Sequence, residues 1–167
     1  MWAANAATVS PSADCGGGCL HVSVANLQTM LHRGLEAEQT ELTLRRLLPN
    51  TRDVFEGFVV HGPLPFHDVL SDEGAANHMR MCGDIGQGIE IFVYGRTAKE
   101  ARTQFPARQT LEASRAIARR HMLTEGRTLF ALQSARAIDA GAFHNDVVAV
   151  AHENVLFYHA DAFADAA

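Results

Sequence analysis

The sequence has 167 residues, of which 47% are hydrophobic, and a formal net charge of -5. This length accommodates one domain with an apolar core, and the mixing of acidic and basic residues excludes the continuous basic surface of a nucleic-acid-binding protein. No apolar run approaches the roughly 20 residues that a membrane-spanning helix requires, and the first residues lack the features of a secretory signal, so we expect a cytoplasmic protein.

The first sixty residues predict two strands, a helix and a third strand. Apolar runs at Ala7–Ser10 and Leu20–Val24 flank a glycine-rich turn, and the second run alternates with a period of two. Leucines at helical spacing within 35–48, followed by Pro49, predict a helix. The run 55–60, bounded by glycines and prolines, predicts a short buried strand. The predicted order is therefore ββαβ.

The same order recurs in the next seventy residues. Segments 77–82 and Ile89–Tyr94 flank a second glycine-rich turn. Proline is tolerated at the first position of a helix, so the sequence predicts a helix over 106–122, with Arg108 in its first turn. Thr128–Leu132 then supplies the closing strand.

A third unit begins with two apolar runs, 147–150 and Val155–Tyr158. We place the three units at residues 1–62, 73–133 and 143–167 of one partial domain, the last unit being incomplete. Such a repeat predicts a propeller-like α/β array in which each unit directs polar groups to one shared centre.

The three cysteines, Cys15, Cys19 and Cys82, form an odd count at spacings that match no disulfide framework. Cys15 and Cys19 with His21 could form a metal site, but a second pair of ligands is lacking. The alternative is a flexible glycine turn, and we expect no metal.

Three polar segments are candidates for chemistry. Asp72 and Glu73 precede small residues that would let a ligand approach the backbone, with a surface turn as the alternative. A cation in the first turn of a helix costs about 0.3–1 kcal/mol, so Arg108 has another purpose, such as pairing with a carboxylate, unless it is only a solvated arginine. His144 and Asp146 adjoin an apolar strand, where a histidine can transfer protons, with a satisfied core histidine as the alternative.

Seven segments, in the same order as in a known family, carry a resemblance that runs nearly from end to end: residues 1–8, 11–14, 72–78, 92–96, 106–110, 112–114 and 143–150. They resemble succinylarginine dihydrolase, a family of the pentein superfamily of guanidine-modifying enzymes. The resemblance implies a five-unit pentein α/β propeller, of which this chain contains about two and a half ββαβ units. It also implies hydrolysis of N2-succinylarginine to N2-succinylornithine, ammonia and carbon dioxide, in arginine catabolism.

The resemblance implies that Glu73 and His144 are catalytic. It further implies a set of substrate-binding positions: Asn5, His32, Arg33, Arg108 and Asp146. It implies neither a metal nor an organic cofactor, and a homodimer for the full-length family. The mixed charges and the lack of a membrane-length apolar run predict that neither nucleic acid nor a membrane is a partner.

The expected chemistry explains these residue types. A guanidinium carbon is a poor electrophile, so a thiolate attacks it and an acid protonates the departing ammonia; His144 suits that acid. Glu73 and Asp146 can hold the guanidinium, and Arg33 and Arg108 can hold the two carboxylates. The family's nucleophilic cysteine and a further substrate loop lie outside the stretch that this chain matches, so we expect the chain alone to be inactive.

Two alternatives remain open from the sequence. A related pentein could act on free or methylated arginine, although Arg33 and Arg108 together favour a substrate with additional carboxylates. The chain could also be a non-catalytic remnant that only binds or associates.

Overall fold

The computed structural model describes residues 5–48, 57–83, 86–98 and 103–164, which form a mixed α/β structure with three small sheets. The strands within these ranges are β1 (Ala7–Ser10), β2 (Leu20–Val24), β3 (Phe58–His61), β4 (His78–Met81), β5 (Ile89–Tyr94), β6 (Thr128–Leu132), β7 (Ala149–His152) and β8 (Val155–Tyr158). The α-helices are α1 (Leu31–Gly34), α2 (Ala37–Leu47), α3 (Leu111–Arg120) and α4 (Ala135–Asp139).

The first two sheets share one topology. β1 pairs antiparallel with β2, which pairs in parallel with β3, and β4, β5 and β6 repeat this arrangement. A parallel pair requires a crossover connection, and in each sheet a helical segment precedes the third strand in the chain, α2 before β3 and α3 before β6. The predicted ββαβ order is therefore present in both units. The third sheet is the antiparallel hairpin of β7 and β8.

The two faces of β5 build two separate apolar clusters, because successive side chains of a strand point to opposite faces. Phe92 packs with Ile117 of α3 and its neighbours. Ile91 and Val93 pack on the other side, with Ala149 of β7. β5 thus connects the helix α3 to the third sheet.

The helix predicted over 106–122 begins later than expected. Thr110 is the N-terminal cap of α3, because its hydroxyl accepts a hydrogen bond from the Ala113 N–H at 3.2 Å. Arg108 therefore precedes the helix, and the prediction that it lies in the first helical turn was wrong. The cost of a cation in the first helical turn therefore does not apply to Arg108.

Other boundaries also differ from the predictions. The helix predicted over 35–48 is present as α2, which begins at Ala37 and ends at Leu47, whereas the short helices α1 and α4 were not predicted. Five residues offer too little apolar periodicity to be recognised as a helix. Pro49 and the start of the strand predicted at 55–60 lie outside the described residues.

Candidate active site

Glu73 lies directly before a short 3-10 turn, Gly74–Asn77, and its side chain is fully buried. Gly74 has a φ of 63°, and a Cβ built on it would lie 2.2 Å from the backbone oxygen of Asn5. Only glycine combines that conformation with so close an approach. Gly74 therefore lets the segment that carries Glu73 pack against the first strand.

Three side chains hold the Glu73 carboxylate. The Thr29 hydroxyl donates a hydrogen bond to Oε1 at 2.7 Å, while Arg33 Nη1 and His144 Nε2 lie 2.7 and 2.8 Å from Oε2. Burial raises the pKa of the Glu73 carboxyl, but the hydrogen bonds and the Arg33 charge outweigh that effect, so the pKa lies below its usual value. Glu73 is therefore ionised at neutral pH.

The ionised state of Glu73 determines the proton position on His144. Nε2 of His144 lies between Glu73 Oε2, at 2.8 Å, and Arg108 Nη1, at 3.2 Å. A carboxylate only accepts hydrogen bonds and a guanidinium only donates them. Nε2 therefore carries a proton and donates it to Glu73, so it offers no lone pair to Arg108. The Arg108 donor that points at His144 is thus available to an anion.

The Arg108 guanidinium is half-buried and lies over the ring of Phe143, 5.0 Å from its centroid. Such stacking restricts the orientation of a guanidinium without using its hydrogen-bond donors. Phe143 adjoins His144 in the chain, so one segment supplies both the histidine and the support for Arg108.

Gln109 connects the segment of Arg108 to that of Glu73. Its side-chain oxygen accepts a hydrogen bond from the Glu73 backbone N–H at 2.7 Å, and its amide nitrogen donates to Asp72 Oδ1 at 3.2 Å. Burial raises the pKa of Asp72 to about 6. Thr29 and Gln109 were not predicted as site residues, and Asp72 was named only as part of a candidate segment, without a role. A short stretch of sequence does not reveal such bonds, because each joins residues at least 36 positions apart.

The structure thus brings four of the seven predicted site residues into one network: Glu73, His144, Arg33 and Arg108. Asn5 adjoins the network through its contact with Gly74. His32 directly precedes Arg33, and Asp146 lies two positions after His144; both are exposed, and within the described ranges neither is hydrogen-bonded to Glu73 or His144.

Further features of the described residues bear on chemistry. No group of three or more histidine, cysteine or acidic side chains in the described ranges is arranged to hold a metal ion, and this includes the Cys15, Cys19 and His21 segment. Burial raises the pKa of the Cys15 thiol to about 11, which leaves it protonated.

Within the residues that the structure describes, no helix is both long and apolar enough to cross a membrane.

Fold and site together define a mixed α/β protein with a candidate acid–base site, in which a buried, ionised glutamate forms an ion pair with an arginine and a hydrogen bond with a histidine. The family model described as succinylarginine dihydrolase matches residues 1–167, and the chain belongs to this family.

Relatives named N-succinylarginine dihydrolase support that assignment. The chain is 53% identical to the one from Nitrosospira multiformis over 169 residues, which cover 99% of this chain and 37% of that protein. It is 51% identical to the one from Shewanella amazonensis, over 98% of this chain and 37% of the relative. It is 50% identical to the one from Aeromonas hydrophila, over 100% and 38% respectively. The chain thus spans between 37% and 38% of the length of these relatives.

Proposed function

We propose that this chain provides the glutamate and histidine part of an N2-succinylarginine dihydrolase site. The proposed reaction converts N2-succinylarginine and two waters to N2-succinylornithine, two molecules of ammonia and carbon dioxide. The observation that carries the proposal is the network in which Glu73 forms an ion pair with Arg33 and a hydrogen bond with His144, together with the family to which the chain belongs.

The charges of the network complement this substrate. N2-succinylarginine carries one guanidinium and two carboxylates, so its net charge is negative. Arg33 and Arg108 bring two positive charges against the single negative charge of Glu73. An arginine fork matches the planar oxygens of a carboxylate, and the Arg108 donor that lacks an acceptor on His144 suits this contact. Free arginine has only one carboxylate, so one of the two arginines would have no substrate carboxylate to bind.

In the proposed mechanism, Glu73 grips the substrate guanidinium through charge-assisted hydrogen bonds and keeps it protonated, which makes its carbon more electrophilic. The nucleophile is a cysteine thiolate, which adds to that carbon, and the C–N bond to the first ammonia then breaks. A water molecule releases the thiolate from the resulting adduct, and a second round of thiolate attack and hydrolysis, with the second water, releases the second ammonia and carbon dioxide. His144, with its proton on Nε2, protonates the departing ammonia. The resemblance to the family assigns the nucleophile to none of Cys15, Cys19 and Cys82.

We also propose that residues 1–62, 73–133 and 143–167 are units of a five-unit pentein propeller, the third of them incomplete. The shared strand order of the first two sheets supports this arrangement. The roles of Asn5, His32 and Asp146 in substrate binding, and a homodimer, are further proposals that rest on the resemblance.

Calorimetric titration of the purified chain tests the function. We expect N2-succinylarginine to bind at least about tenfold more tightly than arginine, because each added charge-assisted hydrogen-bonding pair contributes about 1.5–3 kcal/mol. Arg108→Met should abolish this preference. Arg136→Met is the matched control, since Arg136 is an arginine whose side chain is 81% exposed.

Each result distinguishes between the open possibilities. Equal binding of arginine and N2-succinylarginine would favour a related enzyme of free arginine. Absence of binding to both compounds would contradict the proposal. We expect binding without ammonia release, because no cysteine of this chain inherits the nucleophilic role, and turnover abolished by His144→Ala would show that expectation to be wrong.

A further inference from the structure

The loop between β2 and α1 is attached to the segment that carries Glu73. Asn26 Oδ1 accepts a hydrogen bond from the Asp72 backbone N–H at 3.0 Å, and the Leu27 N–H donates to the Asp72 carbonyl at 3.0 Å. Leu27 is buried and has a φ of 48°, a conformation that residues other than glycine rarely adopt. The loop is therefore held in one position relative to Glu73.

This loop presents the Thr29 hydroxyl to one oxygen of the Glu73 carboxylate. Thr29 Oγ1 donates to Oε1 at 2.7 Å, whereas Arg33 and His144 both contact Oε2. Among the described residues, Thr29 is the side chain that donates a hydrogen bond to Oε1 of Glu73. The two oxygens thus have different partners: a neutral hydroxyl on one, and an arginine and a histidine on the other.

A carboxylate with partners on one oxygen only can rotate about its Cγ–Cδ bond, because the terminal torsion of a glutamate side chain is broad. A hydroxyl bonded to the second oxygen opposes that rotation. The orientation of the carboxylate matters, because an arginine fork and a carboxylate bind in one plane. A rotated carboxylate would also move Oε2 away from the proton on His144.

We propose that Thr29 is a positioning residue of the site, whose hydroxyl fixes the plane of the Glu73 carboxylate so that Oε2 faces His144 and the guanidinium of the substrate. The effect of Thr29 on substrate binding rests on the proposed function, whereas the effect of Thr29 on the Glu73 carboxylate does not. Thr29 would act through Glu73, to which its hydroxyl is hydrogen-bonded, and not on the substrate directly.

The first test measures Glu73 without any ligand. The chain is labelled with ¹³C at the glutamate carboxyl carbon, the Glu73 resonance is assigned from its loss in Glu73→Gln, and the carboxyl is titrated by NMR. Thr29→Val keeps the side-chain shape but removes the donor, and we expect it to raise the pKa of Glu73. Thr29→Ser keeps the hydroxyl and should retain the wild-type titration. An unchanged Glu73 titration in Thr29→Val would overturn the proposal.

A structural role alone would not produce this pattern, because Thr29→Ser removes the packing methyl group and Thr29→Val removes only the donor. Thermal unfolding establishes that each variant is folded. If Thr29→Val does not fold, Thr29→Ala is titrated in its place and judged by the same criterion. Equal pKa increases in the serine and valine variants would also refute the role of the hydroxyl.

The second test measures calorimetric binding of N2-succinylarginine. Thr29→Val should bind about tenfold more weakly than the wild type, since the lost hydrogen bond is to a charged group, and Thr29→Ser should bind like the wild type. If the wild type does not bind N2-succinylarginine, the proposed function fails, while the carboxyl titration still decides whether Thr29 controls Glu73. If the wild type binds and the valine variant binds equally well, Thr29 does not position Glu73 for substrate and the proposal is overturned.

Discussion

His121, the C-terminal cap of α3, is expected to make the protein sensitive to acid. Its imidazole is fully buried, with Nδ1 2.8 Å from the Ser10 hydroxyl and Nε2 2.8 Å from the Ser23 hydroxyl. The ring centroids of His21 and His61 lie 5.5 and 5.7 Å away. A protonated His121 would thus be a buried cation among other imidazoles.

Burial, and to a smaller extent the charges of the neighbouring histidines and Arg120, together lower the pKa of His121 to about 2. In the unfolded chain a histidine has a pKa of about 6.5. Below that value the unfolded state binds a proton that the folded state excludes, so stability falls as the pH falls from about 6.5 towards 2. Between pH 7 and pH 5, His121 alone should account for a loss of about 2 kcal/mol.

Urea unfolding at pH 7 and at pH 5 measures this loss. We expect His121→Asn to be less stable than the wild type at pH 7, because the hydrogen bonds to the two serines are disturbed. Its further loss on acidification should be about 2 kcal/mol smaller than that of the wild type. The control is His152→Asn, since the His152 side chain is 88% exposed and its replacement should leave the pH dependence unchanged. A His121→Asn variant with the full wild-type pH dependence would refute the reasoning.

Two further predictions concern the segment of Glu73. Glu73→Gln leaves the buried Arg33 without its charged partner and should reduce the free energy of unfolding by about 3–5 kcal/mol. In urea unfolding, the double variant Glu73→Gln with Arg33→Met should lose less stability than the sum of the two single losses. Additive losses would contradict a coupled pair. Gly74→Ala should be more destabilising than Gly18→Ala, because both glycines have positive φ but only the Cβ at Gly74 would meet backbone, at 2.2 Å. Equal losses in thermal unfolding would mean that the clash is relieved at little cost.

The local sequence predicted most strands well. The run Ile89–Tyr94 and the strands Ala7–Ser10, Leu20–Val24 and Thr128–Leu132 have the predicted bounds. Apolar residues bounded by turn residues encode such elements within a few positions of one another. The predicted start of α3 was wrong. The prediction placed it at Pro106, because proline is tolerated at the first helical position, whereas Thr110 caps the helix.

The site could be predicted only in part. The family resemblance identified four residues of the network: Glu73, His144, Arg33 and Arg108. The local sequence around three of them was also compatible with structural explanations, such as a surface turn, a core histidine or a solvated arginine. Thr29 lacked any local signal, since a threonine in a loop is common.

The sequence by itself determined the strand and helix order, the repeat of the ββαβ unit and the membership of the family, because periodicity and motifs are written in neighbouring residues. Only the tertiary structure decided which charges meet. Thr29 and His144 lie 44 and 71 positions from Glu73 in the chain, yet both bond its carboxylate. The ionised state of Glu73 follows from these distant contacts and from its burial, since desolvation and hydrogen bonding exist only once the chain has folded.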